Sequence, residues 1–176
     1  MGPELQFSEQ LHAMKYRQAG ENFRAAMNRV AQAMADDDGG RHYHQFREIL
    51  LDMRFLPAGR IQSAMGASRD VTPFNCFVSG TIPDSYVTPD NEEQSSIMHR
   101  AVEAAQTMRM GGGIGYDFST LRPRWDMIRK LQSHSSGPVS FMHIYDAICR
   151  ATSSSGHRRG AQMDVLRIDH PDIIEF

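Results

Sequence analysis

Apolar residues in the first third of the chain repeat at the spacing of an α-helix. One stripe is formed by Phe23, Met27, Val30 and Met34, and a second by Phe46, Ile49, Leu50 and Met53. Spacings of three and four residues place such side chains on one face of an amphipathic helix. The acidic and glycine run at 36–40 separates the two predicted helices, and Pro57 and Gly59 close the second. Helices this short bury little surface alone, so we expect them to pack on other elements.

The pattern changes from residue 71 onward, where successive side chains alternate in character. One side of this segment carries Phe74, Cys76 and Val78, and the other carries Asn75, Phe77 and Ser79. A period of two residues is typical of a β-strand, so we predict a strand over 71–82.

Two more helical stripes and further extended segments follow. The stripes are Ile97, Ala101, Ala105 and Met108, then Phe141, Ile144, Tyr145 and Ile148, with Pro138 suited to the first turn of the second helix. A short extended segment is expected after the glycines at 111–115, and residues 161–168 predict another strand. Pro171, Asp172 and Glu175 are typical of the first turn of a helix. This alternation predicts an α/β fold with a parallel sheet.

Composition narrows the class of protein without naming a function. The 176 residues suit one domain or a large part of one, with 40% hydrophobic and 23% charged residues. A net charge of −2 gives no overall basic field for nucleic acid. No apolar run approaches the roughly 20 residues that span a bilayer, and the N-terminus lacks the layout of a signal peptide. We therefore expect a cytoplasmic protein with no membrane partner.

Few side chains offer a disulfide or metal site. Cys76 and Cys149 are the only cysteines, too few for a disulfide scaffold or a four-thiolate zinc site. Taken alone, Cys76 on its strand suits a buried small hydrophobe, and Cys149 suits the core face of a helix. His42 and His44 are the only close histidine pair, and residues two apart on a helix do not share a face. We expect no metal site.

Two loops carry candidate chemistry, and each has a second interpretation. Glycines at 111, 112, 113 and 115 allow a ligand to approach the backbone, but a helix C-terminus with a tight turn explains them equally well. They match neither the Walker loop nor the dinucleotide fingerprint, which follows a strand. The arginine loop, residues 153–161, offers two guanidiniums to phosphate, carboxylate or a base edge. An ordinary solvated loop is the alternative.

No single site above identifies a protein family, but six motifs taken together, in their order along the chain, do suggest one. They are RFLPAGRI at 54–61, PFNCFV at 73–78, DS at 84–85, GGGIGYDFSTLRP at 111–123, SSGPVSFM at 135–142 and RRGAQMDVLRIDHPDI at 158–173. The series resembles the N-terminal part of the catalytic large subunit of ribonucleotide reductases, most of all the adenosylcobalamin-dependent class II. With the helical lead-in HAMKYRQAGENFRAAMNRVA, the resemblance covers nearly the whole chain.

The resemblance implies a ten-stranded α/β barrel made of two half-barrels around a central finger loop. Residues 1–70 would form a helical N-terminal region. Residues 71–176 would supply the first strands of this barrel, incomplete here, with the effector and substrate-specificity loops.

The resemblance also implies roles at the substrate. Cys76 would be one of the two cysteines that reduce the ribose and close to a disulfide as the 2′-hydroxyl leaves as water. Asn75 would lie beside the substrate, with Gly112 and Gly113 against its nucleoside.

A second implied site binds a regulatory nucleotide. Asp84 and Ser85 would begin the specificity-effector site at a dimer interface, and Arg122 would contact the effector's phosphates. The arginine loop would be the substrate-specificity loop, in which Arg158 reaches the substrate. That loop comprises Ser155, Gly156, His157, Arg158, Arg159 and Gly160. Two arrangements of the loop, each favoured by a different effector base, would couple the two sites.

Several family residues are expected downstream of Phe176. These are the radical cysteine, the redox partner of Cys76 and most residues that bind cobalamin and the substrate phosphates. We therefore expect a fragment, or half of a split enzyme, that is inactive alone. Its expected partners are adenosylcobalamin, a ribonucleoside di- or triphosphate, a deoxynucleoside triphosphate effector, the C-terminal half of the barrel, a thioredoxin-like reductant and a second copy of the chain.

Two other hypotheses stay open at this point. One is a stand-alone nucleotide-binding regulatory module that keeps the effector residues and the arginine loop but has lost the chemistry. It predicts a stable dimer in which Cys76→Ser has no effect. The other is a degenerate gene remnant, which should express poorly and be insoluble.

Overall fold

The computed structural model of the chain describes residues 2–87, 95–152 and 160–176. Its elements are α1 Gln6–Tyr16, α2 Phe23–Ala35, α3 Tyr43–Leu51, α4 Gly59–Ala64, β1 Cys76–Thr81, α5 Ile97–Arg109, β2 Gly113–Asp117, β3 Met127–Ile128, β4 Ser133–His134, α6 Pro138–Thr152 and β5 Gln162–Val165. They fall into two units, residues 1–74 and residues 75–176. No described helix is long and apolar enough to cross a membrane.

The first unit is built on the apolar face of α2. Its core consists of Phe23, Ala26, Met27, Val30 and Ala31 of α2 with Leu50 and Leu51 of α3. Asn22 caps α2, because its side-chain oxygen accepts a hydrogen bond from the Ala25 amide at 2.9 Å. The stripe predicted along this helix is therefore the core of the unit, except for Met34, which is 45% exposed.

The second predicted helix ends earlier than its pattern indicates. α3 stops at Leu51, and Met53 lies beyond it with a left-handed φ of +54°. The amides of Met53 and of the next residue bond back to carbonyls of the last helical turn, which is a Schellman ending. The helix thus ends six residues before Pro57, so the prediction that Pro57 and Gly59 close it was wrong. The true end carries no glycine, although glycine usually occupies this left-handed position. Gly59 instead begins α4.

The second unit is a three-stranded parallel sheet with two helices. The strand order is β1-β2-β5 and both pairings are parallel. Along the chain, α5 lies between β1 and β2, and α6 lies between β2 and β5. This confirms the predicted α/β alternation and parallel sheet. The described strands form an open sheet and not a closed barrel, which is consistent with the first part of one.

One face of the sheet is buried under α5 and α6. The core consists of Ile82, Ile97, Ala101, Ala104, Met108, Ile114, Tyr116, Phe118, Leu121, Met142, Tyr145 and Leu166. The rings of Tyr116 and Tyr145 pack edge to face with centroids 4.8 Å apart. The Tyr145 hydroxyl donates to the Ile97 carbonyl at 2.7 Å, which joins α6 to the start of α5.

Some element ends in the second unit differ from the predictions. β1 begins at Cys76 rather than at residue 71, and Pro73 in the intervening stretch has no amide hydrogen to donate to a sheet. The helix expected after Pro171 is absent from the described residues, where 171–175 form hydrogen-bonded turns. The buried His170 holds these turns through its ring, which bonds to the Leu121 carbonyl at 2.9 Å.

Candidate functional site

Cys76 lies at the end of the sheet where the parallel strands begin. It is the first residue of β1 and is in register with Gly113, the first residue of β2. The Gly113 amide donates to the Asn75 carbonyl at 2.8 Å, so Asn75, Cys76 and Gly113 lie side by side. On the other side of β2, the Ile114 amide donates to the Ala161 carbonyl at 3.0 Å.

The Cys76 side chain lies on the face of the sheet opposite the helices. Ile114 is buried toward α5 and α6, so the residue before it, Gly113, belongs to the other face. Residues in register on neighbouring strands share a face, which places Cys76 with Gly113. Cys76 is exposed. The alternative interpretation of Cys76 as a buried small hydrophobe is therefore wrong for this structure.

The open face of the sheet is apolar and lightly covered. The register of the three strands defines it as Cys76, Val78 and Thr81 of β1, Gly113, Gly115 and Asp117 of β2, and Met163 and Val165 of β5, so it is apolar except for Thr81 and Asp117 at one end. Val78 is 90% exposed and Met163 is 64% exposed. The two glycines leave the first part of the middle strand without side chains on this face, so a bound molecule can approach its backbone beside the Cys76 thiol, while Asp117 lies at the far end of that strand.

The glycine cluster ends a helix and begins a strand. Gly111 has a left-handed φ of +82°, and its amide donates to the Met108 carbonyl at 2.8 Å. The Gly112 amide donates to the Thr107 carbonyl at 3.0 Å, which completes a Schellman motif at the end of α5. This confirms the interpretation of the cluster as a helix C-terminus. Gly113 then begins β2, and contact of Gly112 and Gly113 with a nucleoside stays a prediction.

The second implied site lies in a pocket of the same unit. Asp84, Ser85 and Arg122 all line it, and the cavity volume is about 950 Å³. Arg122 Nε donates to Asp84 Oδ2 at 2.7 Å, and each of these side chains is about one-third exposed. The fold thus brings together three residues that the resemblance implies to act on one ligand. Asp84 and Arg122 form their ion pair although 38 positions separate them in the sequence.

Other side chains of the pocket were missed by the sequence analysis. The turn between β3 and β4, with β4, adds the cationic or titratable side chains Arg129, Lys130 and His134, and Tyr86 and Phe141 add aromatic surface. The rings of Tyr86 and Phe141 have centroids 6.2 Å apart. Among the described residues that line the pocket, three cations, Arg122, Arg129 and Lys130, outnumber two carboxylates, Asp84 and Asp126, and this excess of positive charge suits an anion. Strands of two residues are too short for a period-two pattern, so no signal predicted this hairpin.

The arginine loop falls mostly outside the described residues. Ser155, Gly156, His157, Arg158 and Arg159 lie in the range 153–159, and the described chain resumes at Gly160. A Cβ on Gly160 would lie 3.1 Å from both the Cys149 and the Met108 sulfur atoms. Cys149 is half-buried against the core as predicted, and burial raises the pKa of its thiol.

Comparison with known proteins assigns this unit to a family. Residues 75–176 match the family described as ribonucleotide reductase, barrel domain, over more than half of the chain. The chain belongs to the ribonucleotide reductase family. The resemblance drawn from the six motifs is thereby confirmed, as is the fold class of a helical region followed by the first strands of an α/β barrel.

The curated relatives that this chain matches are much longer than the chain itself. The vitamin B12-dependent ribonucleoside-diphosphate reductases of Mycobacterium tuberculosis and Thermoplasma acidophilum are 36% and 32% identical over 77% and 78% of it. The matches cover 18% and 16% of those relatives, so the chain spans less than a fifth of their length. The solved structure of the Actinobacillus ureae class Id ribonucleotide reductase alpha subunit has a TM-score of 0.75, over 97% of this chain and 29% of that one. At 23% sequence identity, this similarity shows the fold alone.

Proposed function

We propose that the chain is the N-terminal portion of a vitamin B12-dependent ribonucleotide reductase, which converts ribonucleotides to 2′-deoxyribonucleotides by radical chemistry. One observation carries the proposal: a strand of a ribonucleotide reductase barrel presents an exposed thiol, Cys76, beside a glycine on an open face. The names of the Mycobacterium and Thermoplasma relatives support a ribonucleoside diphosphate as the substrate.

Cys76 supplies half of the reducing electrons in this proposal. The 2′-hydroxyl of the ribose leaves as water while two thiols close to a disulfide. One ribonucleotide and two thiols thus give one deoxyribonucleotide, one water and one disulfide, which a thioredoxin-like dithiol reopens. Cys149 is not the second thiol, because α6 packs on the helix side of the sheet and Cys76 lies on the open face. Another part of the enzyme supplies it.

The substrate lies over the open face in this proposal. Asn75 flanks it, Gly112 and Gly113 lie against the nucleoside, and Arg158 of the arginine loop reaches it. The glycine in register with Cys76 supports this placement, because a larger side chain there would occupy the space next to the thiol.

Adenosylcobalamin supplies the radical when it is bound. Val78, Met163 and Val165 give the open face an apolar surface that a large organic cofactor could contact. The described residues hold no group of three or more side chains that could bind its metal ion. We assign no residue of this chain to the cofactor, and the radical cysteine belongs with it in the remainder of the enzyme. The chain by itself is therefore inactive, as a fragment or as half of a split enzyme.

A chimera tests this proposal. This chain replaces the matching segment of the Mycobacterium relative, and deoxynucleotide formation from a ribonucleoside diphosphate is measured with adenosylcobalamin and a dithiol. We expect Cys76→Ser to lower turnover by about a thousandfold or more, because the thiol acts as a unit with its partner. Cys149→Ser is the matched control and should retain turnover. Full turnover of Cys76→Ser would contradict the proposal, as would deoxynucleotide formation by the chain alone.

The pocket of the second unit supports a second candidate function, that of a nucleotide-binding regulatory module. Asp84, Ser85 and Arg122 line a pocket formed wholly by the second unit, so the effector residues come together without further strands. The ligand in both hypotheses is a deoxynucleoside triphosphate, bound in a dimer. The two differ at Cys76, whose replacement by serine leaves the function of a regulatory module intact.

A further inference from the structure

The ring of Phe77 occupies the space beside Gly112. A Cβ on Gly112 would lie 2.8 Å from Cε2 of Phe77 and 3.0 Å from Cγ2 of Thr107. The distance of 2.8 Å is shorter than Cβ contacts in real proteins, and 3.0 Å is tighter than most of them, so the ring lies directly against the glycine backbone. Gly112 does not have a left-handed φ, so steric crowding and not backbone conformation calls for glycine here.

Cys76 is held on both sides by this arrangement. On the side before it, the Asn75 carbonyl accepts from the Gly113 amide at 2.8 Å. On the side after it, the Phe77 ring lies on Gly112, which the Schellman end of α5 holds in place. The backbone hydrogen bond and the ring contact thus both act at the start of β1, in addition to the pairing of β1 with β2.

We propose that Phe77 and Gly112 are positioning residues for the Cys76 thiol. The ring on the glycine sets where β1 begins and therefore where the thiol lies on the open face. The inference rests on the proposed function of Cys76 and adds a role for Gly112 besides the contact with the nucleoside. Gly115, on the same strand, differs from Gly112, because a Cβ there would meet no atom closer than 3.7 Å.

Thiol alkylation in the 176-residue chain tests the proposal. Iodoacetamide labelling of Cys76 and Cys149 is followed separately by mass spectrometry. We expect Gly112→Ala to displace the ring, move the Cys76 thiol on the open face and change its labelling rate by roughly threefold or more. Gly115→Ala is the matched control and should stay within about twofold of the unmodified chain, since its Cβ makes only ordinary contacts. The Cys149 rate should not change, whereas general unfolding would raise both rates.

A double variant separates local crowding from other effects. Phe77→Leu leaves room for a Cβ, so adding Gly112→Ala to it should not change Cys76 labelling further. Phe77→Leu alone introduces no crowding but removes the ring contact, so it should also change the Cys76 rate, which keeps the test decisive where Gly112→Ala does not fold.

Three results would overturn the proposal. They are an unchanged Cys76 rate in Gly112→Ala and Phe77→Leu, the same change caused by Gly112→Ala in both backgrounds, and a parallel change at Cys149. Because no turnover is measured, these results are independent of the chimera, which tests the function of Cys76 itself.

Discussion

At the scale of single residues, Arg122 in the pocket of the second unit already has hydrogen-bond acceptors within the protein. Its Nε donates to Asp84 at 2.7 Å and its Nη1 to the Met127 carbonyl at 3.4 Å. A phosphate must compete with the Asp84 carboxylate for this guanidinium, and charge-assisted bonds to phosphate are strong enough to do so. The ion pair therefore holds Arg122 in place at the pocket without preventing it from binding an anion.

Loss of this guanidinium should weaken nucleotide binding. We expect Arg122→Gln to raise the dissociation constant of a deoxynucleoside triphosphate about 10- to 100-fold, the equivalent of about 1.5–3 kcal/mol for hydrogen bonds to a charged group. Titration calorimetry with the chain checks this. Arg124→Gln is the matched control, because Arg124 pairs with Glu175 and is not among the residues that line the pocket. Equal affinities in both variants would contradict the assignment of the pocket.

At the scale of elements, the pairing of β2 with β5 buries two polar groups. Tyr116 and Asp164 are in register on the helix side of the sheet. Within the described residues, the Tyr116 hydroxyl and Asp164 Oδ1 have no hydrogen-bond partner. Burial raises the pKa of Asp164, and the carboxylate of Asp146 on α6 raises it further. Burial likewise raises the pKa of Tyr116.

The raised pKa of Asp164 has a defined effect on stability. The folded state holds this proton more tightly than the unfolded state, so stability from Asp164 is complete below its ordinary pKa. It is lost as pH rises through the raised folded pKa. We expect Asp164→Asn to increase the free energy of unfolding by about 1–2 kcal/mol at about pH 8, and to change it little at about pH 4.

Urea unfolding at several pH values checks the prediction for Asp164. Asp169→Asn serves as the control of opposite sign, because the hydrogen bond from Arg167 lowers the pKa of Asp169. Its stability difference should be small and should favour the unmodified chain as pH rises. A difference for Asp164→Asn that does not grow with pH would count against the buried carboxylate as its cause.

At the scale of the whole molecule, the open face leaves apolar surface in water. Parallel sheets are normally covered on both faces, and among the described residues α5 and α6 cover one of them. Val78, Met163 and Val165 are 90%, 64% and 43% exposed. In the proposed function the remaining strands of the barrel cover this face. Alone, the chain should bind apolar dyes and associate through it.

One substitution tests whether the open face causes this behaviour. We expect Val78→Thr to lower the fluorescence of a bound naphthalene sulfonate dye by roughly half, because it removes apolar surface while keeping a β-branched side chain. Val102→Thr is the control, since Val102 is 56% exposed but lies on α5. Equal decreases in the two variants would show that dye binding is not specific to the open face.

Sequence patterns predicted the elements better than their ends. The stripes of α2, α5 and α6 are local repeats, and the structure has these helices where they were expected. The end of α3 depends on the left-handed Met53, which carries no glycine signal. The hairpin of β3 and β4 has strands of only two residues, and it supplies the cations of the pocket that the sequence analysis missed.

The sequence by itself determined the family, the α/β alternation and the candidate residues Cys76, Asp84 and Arg122, because motifs and helical stripes are properties of short segments. Only the tertiary structure decided that Cys76 lies on the open face and that Asp84 meets Arg122. Alternation along β1 already put Cys76 and Val78 on one side, but which side α5 and α6 cover depends on packing between segments far apart in the chain. Long-range packing also brings Asp84 to Arg122, and no pattern within either segment encodes that contact.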